Sequence, residues 1–146
     1  MLKALMLSCG LGWALLACSS NGDTDACGGT VSGTYADSES LSASSGACGP
    51  GVGGSGTITI TGPGPDHEVA LPTIQGSCPA TSKGCGLDVK CTIDLSDSSG
   101  NPAGSAKLTA DWTFTSTGFT GQSTIVLTKA DGTSCTSNFT DTATKQ

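Results

Sequence analysis

His67 is the one histidine in a chain of 146 residues, and it stands between Asp66 and Glu68. An imidazole beside carboxylates suits general acid-base chemistry, so any Ser-His-Asp arrangement in this chain has to run through His67. Serine is plentiful, but no Gly-x-Ser-x-Gly elbow occurs, and Gly53-Gly54-Ser55-Gly56 lacks the strand-to-helix setting such a nucleophile requires. His67 therefore reads as a loop histidine beside Pro65. Asp94, Asp97 and Asn101 offer oxygen ligands around Gly100, yet their spacing departs from the calcium-loop pattern, and turn formation accounts for them. Zinc would have to draw on Cys78, Cys85 and Cys91 with His67. The chain contains no Cys-x-x-Cys pair to close a tight chelate loop, so no metal site is expected.

The elements that would position these residues read as strands throughout. A first strand fits Thr30 to Ala36, with Val31 and Tyr35 on one face, and the Ser- and Gly-rich stretch from Asp37 to Ser55 reads as loop stapled by Cys48. Ile58 and Ile60 alternate with threonines before Gly62-Pro63-Gly64-Pro65 enforces a turn. Glu68 to Leu71 forms a short strand, and Pro72 to Gly86 reads as irregular, pinned by Cys78 and Cys85. From Val89 to Leu95 the odd positions are apolar, which puts Cys91 on the core face. The turn at Asp97 to Pro102 leads into the longest alternation, Leu108, Ala110, Trp112 and Phe114 against polar partners. Phe119 to Thr128 follows, then a hairpin turn at Ala130-Asp131-Gly132-Thr133 and a last strand from Cys135 to Thr144. There Cys135, Phe139, Asp141 and Ala143 share a face, and the acid on that face places Asp141 near a sheet rim. The expected fold is all-β: an antiparallel meander of about seven strands, closed as a small barrel or folded as a sandwich, because each strand carries one polar face.

The amino terminus carries a different kind of signal. Lys3 precedes an uncharged apolar stretch from Ala4 to Leu16, too short at ~1.5 Å per residue to span a ~30 Å hydrocarbon core, and a polar run begins at Ser19. This is the layout of a secretory signal. It ends in Leu15-Leu16-Ala17-Cys18, which resembles the lipobox of bacterial lipoproteins. The resemblance covers the first eighteen residues and departs from the usual pattern at Leu16. It implies that residues 1–17 are removed, that the Cys18 thiol receives a diacylglyceryl group, and that the freed amine is acylated. Three acyl chains at about 0.8 kcal/mol per buried methylene would anchor the protein permanently. Ser19 resembles the outer-membrane class of such lipoproteins. Residues 18–26 then form the lipidated cysteine and a polar tether, and residues 27–146 one β domain.

By that resemblance Cys9 leaves with the signal and Cys18 goes to lipid, so six cysteines remain: Cys27, Cys48, Cys78, Cys85, Cys91 and Cys135. An even number in an exported chain implies disulfides, and a domain whose aromatics are Tyr35, Trp112, Phe114, Phe119 and Phe139 needs them. Fifteen pairings are possible; Cys27 with Cys48, Cys78 with Cys85 and Cys91 with Cys135 would minimise crossing. After Lys3 the chain carries five lysines and no arginine against twelve carboxylates, which argues against nucleic acid and against electrostatic attachment to anionic lipid. Asn138-Phe139-Thr140 has the form of a glycosylation sequon and is expected to stay unmodified in a bacterial lipoprotein.

Two function classes follow. The first is an envelope lipoprotein without catalysis or cofactor, anchored in the membrane by its lipid and contacting another envelope protein or serving structure. The second is a ligand-binding or inhibitor barrel, with a mouth lined by Tyr35, Trp112 or Phe119 holding an apolar small molecule; this resembles lipocalins in architecture only, without a lipocalin sequence motif. An enzyme built on His67 comes third.

Overall fold

In a computed structural model of the chain, residues 27, 30–47, 53–71 and 76–146 are described. Eight antiparallel strands follow one another around a closed barrel: β1 (Gly33–Gly46), β2 (Ser55–Thr61), β3 (Asp66–Leu71), β4 (Gly76–Lys83), β5 (Gly86–Ser96), β6 (Pro102–Thr115), β7 (Gly118–Lys129) and β8 (Ser134–Lys145). Closure comes from β1 pairing with β8, so neither terminal strand leaves an open edge. Each strand hydrogen-bonds to its sequence neighbours, which makes the barrel a simple meander.

Alternation decides which side chains go inside. On β6, Ala106, Leu108, Ala110, Trp112 and Phe114 are buried, while Lys107, Asp111, Thr113 and Thr115 face out. The same period places Phe119 and Ser123 of β7 inside, and Cys135, Ser137, Phe139, Asp141 and Ala143 of β8. Outward positions are dominated by Thr, Ser and charged residues. A barrel that spans a bilayer carries its apolar band outside, the reverse of this distribution.

One end of the interior is filled by aromatics. Trp112 stacks on Phe119 with centroids 4.5 Å apart, and Phe119 and Tyr35 both lie against Phe114. Trp112 fits because its register partner on β7 is Gly121: a Cβ there would stand 2.8 Å from the indole Cδ1 and 2.9 Å from the Trp112 Cα. The chain around residues 30–32 closes this end. Val31 is wholly buried, and the Tyr35 hydroxyl donates to its carbonyl at 2.7 Å.

Two features departed from the reading of the sequence. The stretch after Asp37 is not loop up to Ser55, because β1 continues through Gly46 with a bulge between Leu41 and Ala43. Gly76 to Lys83 is a strand as well, with Cys78, Ala80 and Ser82 as its buried row. These two extensions turn about seven strands into eight long enough to close.

The disulfides also differ from the minimal-crossing set. Cys27 bonds Cys85 (Cα–Cα 5.2 Å) and Cys78 bonds Cys91 (5.3 Å). Ala80 pairs with Val89 across β4 and β5, so two residues further along Cys78 meets Cys91 on the inward face of neighbouring strands. Cys85 lies in the β4–β5 turn, its carbonyl accepting from the Phe114 N–H at 2.8 Å, and there it fastens Cys27 to the aromatic end. Cys135 is itself disulfide-bonded, but not to Cys91, which Cys78 takes. Cys48 lies outside the described residues.

Candidate functional site

Three carboxylates point into the barrel. Asp37 and Glu39 alternate with Ser38 and Ser40 on β1, and Glu39 is the register partner of Asp141 on β8. Asp141 is 1 % exposed and fully engaged: Trp112 Nε1 donates to its Oδ2 at 2.8 Å and the Ser123 hydroxyl to its Oδ1 at 3.0 Å. It lies deep in the interior and not at the sheet rim expected from sequence. Asp37 is 6 % exposed, and its Oδ1 has no hydrogen-bond partner among the described residues.

Burial pushes the Asp37 carboxyl up to about 7, with Glu39 and Asp141 adding repulsion and the Ser38 backbone N–H partly opposing them. Glu39 is raised too, first by burial and then by Asp141. No lysine relieves the cluster. The ion pair among the described residues is Lys90 with Asp88 on the outer surface, and the Lys145 ammonium sits on Thr30.

Beside Asp37 and Glu39 lies a cavity of about 50 Å³, lined also by Gly54, Ser55, Gly56, Thr57, Ile58 and Leu71. Its origin can be read along β2. The inward row Ile60, Ile58 continues as Gly56 and Gly54, so side chains stop where the carboxylates begin. Gly56 is the register partner of Asp37, and the Gly54 carbonyl accepts from the Glu39 N–H at 2.8 Å.

His67 belongs to a strand, not a loop. It points inward from β3 at 3 % exposure, its Nε2 3.1 Å from the Ser82 hydroxyl, and that hydroxyl also reaches the Pro65 carbonyl at 3.4 Å. Strand alternation sends the flanking Asp66 and Glu68 to the outside, where neither orients the imidazole. His67 Nδ1 has no hydrogen-bond partner among the described residues, so no carboxylate among them orients the ring. Asp97 behaves as the sequence indicates: it accepts from the Ser99 and Asn101 N–H groups as a turn residue, and those bonds, chiefly the one from Asn101, hold its carboxyl below the ordinary range. Among the described residues no three His, Cys, Asp or Glu side chains are placed to hold a metal ion.

Tyr35, Trp112 and Phe119 are 1–3 % exposed and pack on one another inside the barrel, and Trp112 also borders an open surface pocket of about 280 Å³ with Leu87, Asp88, Asp111 and Thr113. Cys18 lies outside the described residues. The acidic cluster and Ser82 escaped the sequence reading, although the alternation Asp37-Ser38-Glu39-Ser40-Leu41 was there to find. Compared with protein families, curated proteins and solved structures, the chain matches none of them.

Proposed function

We propose that the chain is a lipid-anchored lipoprotein of the bacterial envelope, placed in the outer membrane, whose β-barrel works without catalysis as a structural or protein-contact module. The observation that carries this reading is the pairing of Leu15-Leu16-Ala17-Cys18 with a barrel whose outer face is polar. Such a face gives the barrel no means of entering a bilayer, so membrane attachment falls to the acylated Cys18. A short polar tether then holds the disulfide-stapled domain off the lipid surface. Absence of catalysis is supported by the His67 pair, which is sealed from solvent and lacks an orienting carboxylate.

Cys18→Ser tests the reading. The wild-type chain expressed in a Gram-negative host is expected in the membrane pellet, soluble only in detergent, fractionating with outer membrane and carrying the mass of its acyl chains. The variant is expected in the soluble fraction. A Cys18→Ser protein that still needs detergent would refute the anchor.

A further inference from the structure

We infer that the cavity between Asp37, Glu39 and the glycine end of β2 binds an alkylammonium group, the two carboxylates taking the charge while Ile58 and Leu71 pack on its first methylenes. The inference is independent of the membrane anchor, because every residue in it belongs to the barrel.

Charge comes first. Inward carboxylates without a cation are costly in a folded protein, and all five lysines after Lys3 are engaged elsewhere or outward-facing. Geometry adds a direction. Asp37 is more than nine-tenths buried, it lines the cavity, and one of its oxygens is left without a donor. A buried acceptor in that condition is expected to have a partner that the chain itself does not supply.

Size and lining narrow the class. A volume of about 50 Å³ is several times the roughly 10–15 Å³ that admits one water, enough for an ammonium head and a short stem. Apart from the carboxylates the lining offers Ile58 and Leu71 as apolar surface, two glycines, and only Ser55 and Thr57 as neutral polar residues, which leaves room for methylenes beside a charged head. Among the described residues no three acidic, His or Cys side chains are placed to hold a metal ion, and both oxygens of Asp141 already accept from Trp112 and Ser123.

Binding must also follow pH. Asp37 and Glu39 face the cavity from β1, Asp141 stands across from Glu39 on β8, Lys145 lies further along β8 with its ammonium on Thr30, and β2 brings no titratable side chain. An ammonium favours the ionised carboxylates, so it has to displace the proton that Asp37 holds near neutrality. Apparent affinity should therefore rise roughly tenfold between pH 6 and pH 8.

The test is a titration of the full chain, purified in detergent and labelled at its isoleucine methyls. The probes are n-propylammonium, Nα-acetyl-lysine amide, n-propanol and calcium chloride, at pH 8. Saturable shifts of Ile58 with n-propylammonium, absent with n-propanol and calcium, are expected. A matching response to the lysine derivative would extend the same chemistry to a lysine presented by a protein; no response to it would restrict the site to small free amines. Asp37→Asn and Glu39→Gln should each weaken binding at least tenfold, and both relieve repulsion, so the fold survives them. Gly54→Leu puts a bulky side chain at an exposed lining position where an added Cβ meets no atom within 4 Å, and should weaken binding with both carboxylates intact. An unmoved Ile58, equal shifts with n-propanol, preference for calcium, or full affinity in Gly54→Leu would each overturn the inference.

Discussion

Asp37→Asn isolates what it costs to keep a carboxyl inside this barrel. In the unfolded chain Asp37 titrates near 3.8; in the barrel it is held up to about 7, chiefly by burial and then by Glu39 and Asp141. Below pH 3.8 it is protonated in both states and contributes nothing to the difference between them. Between 3.8 and 7 the native state holds a proton that the unfolded chain has released, so stability falls as pH rises across that window and levels off above it. About three pKa units at 1.36 kcal/mol each set an upper figure of about 4 kcal/mol. Water entering the adjacent cavity screens part of this, and ~2–4 kcal/mol is the expected loss between pH 4 and pH 7.5. Glu39 adds a smaller slope of the same sign. Urea denaturation with the disulfides intact, followed by far-UV circular dichroism across that range, measures it. Asp37→Asn should remove most of the slope and leave the variant more stable than wild type at pH 7.5 by ~2–4 kcal/mol. If the variant keeps the full slope, or loses stability at pH 7.5, the repulsive carboxylate cluster is the wrong description. Asp97 and Asp131, both held below the ordinary range by turn hydrogen bonds, act in the opposite direction but only at more acid pH, outside this window.

Asp141→Ala removes the acceptor of the Trp112 and Ser123 donors and should cost ~2–3 kcal/mol at pH 5, while flattening the pH slope because one source of repulsion on Asp37 is gone. Peptide mapping of unreduced protein is expected to recover Cys27–Cys85 and Cys78–Cys91, and to link Cys135 to Cys48, which the sequence carries two residues beyond Gly46, the register partner of Cys135. From separations of 58 and 13 residues, replacing each described pair by serines should cost ~4 and ~3 kcal/mol respectively in the same urea assay.

Strands whose inward rows are large and apolar were legible in the sequence. Leu108-Ala110-Trp112-Phe114 needs only the pleat to be read, and the turn at Asp97 to Pro102 announces itself by residue type. What stayed hidden were strands whose inward row lacks large apolar side chains. β1 past Tyr35 sends Asp37 and Glu39 inward, and β4 sends Cys78, Ala80 and Ser82, so a pattern scored by hydropathy sees loop in both. The disulfides were illegible for a further reason. Minimal crossing treats the chain as a line, whereas barrel closure sets β4 beside β5 and leaves the β4–β5 turn next to Cys27. The candidate site depends on the first of these: its carboxylates stand on the hidden half of β1, beside the space left where Gly56 and Gly54 follow Ile60 and Ile58.

Pairing around the barrel is uneven. Among the described residues β6 and β7 match over twelve pairs, whereas β2 and β3 match over three, Thr59 with Ala70, Ile60 with Val69 and Thr61 with Glu68. Few ladder bonds make a low local opening free energy, so thermal breathing of the barrel concentrates at this one stave while the long strands stay shut. Amide protons of β2 and β3 will exchange with solvent well before those of β6 to β8. Ile58 and Leu71, which wall the cavity, belong to those two strands. Faster exchange at β2 and β3 than in the long strands would mark the cavity beside the carboxylates as the part of the interior that solvent reaches first without global unfolding.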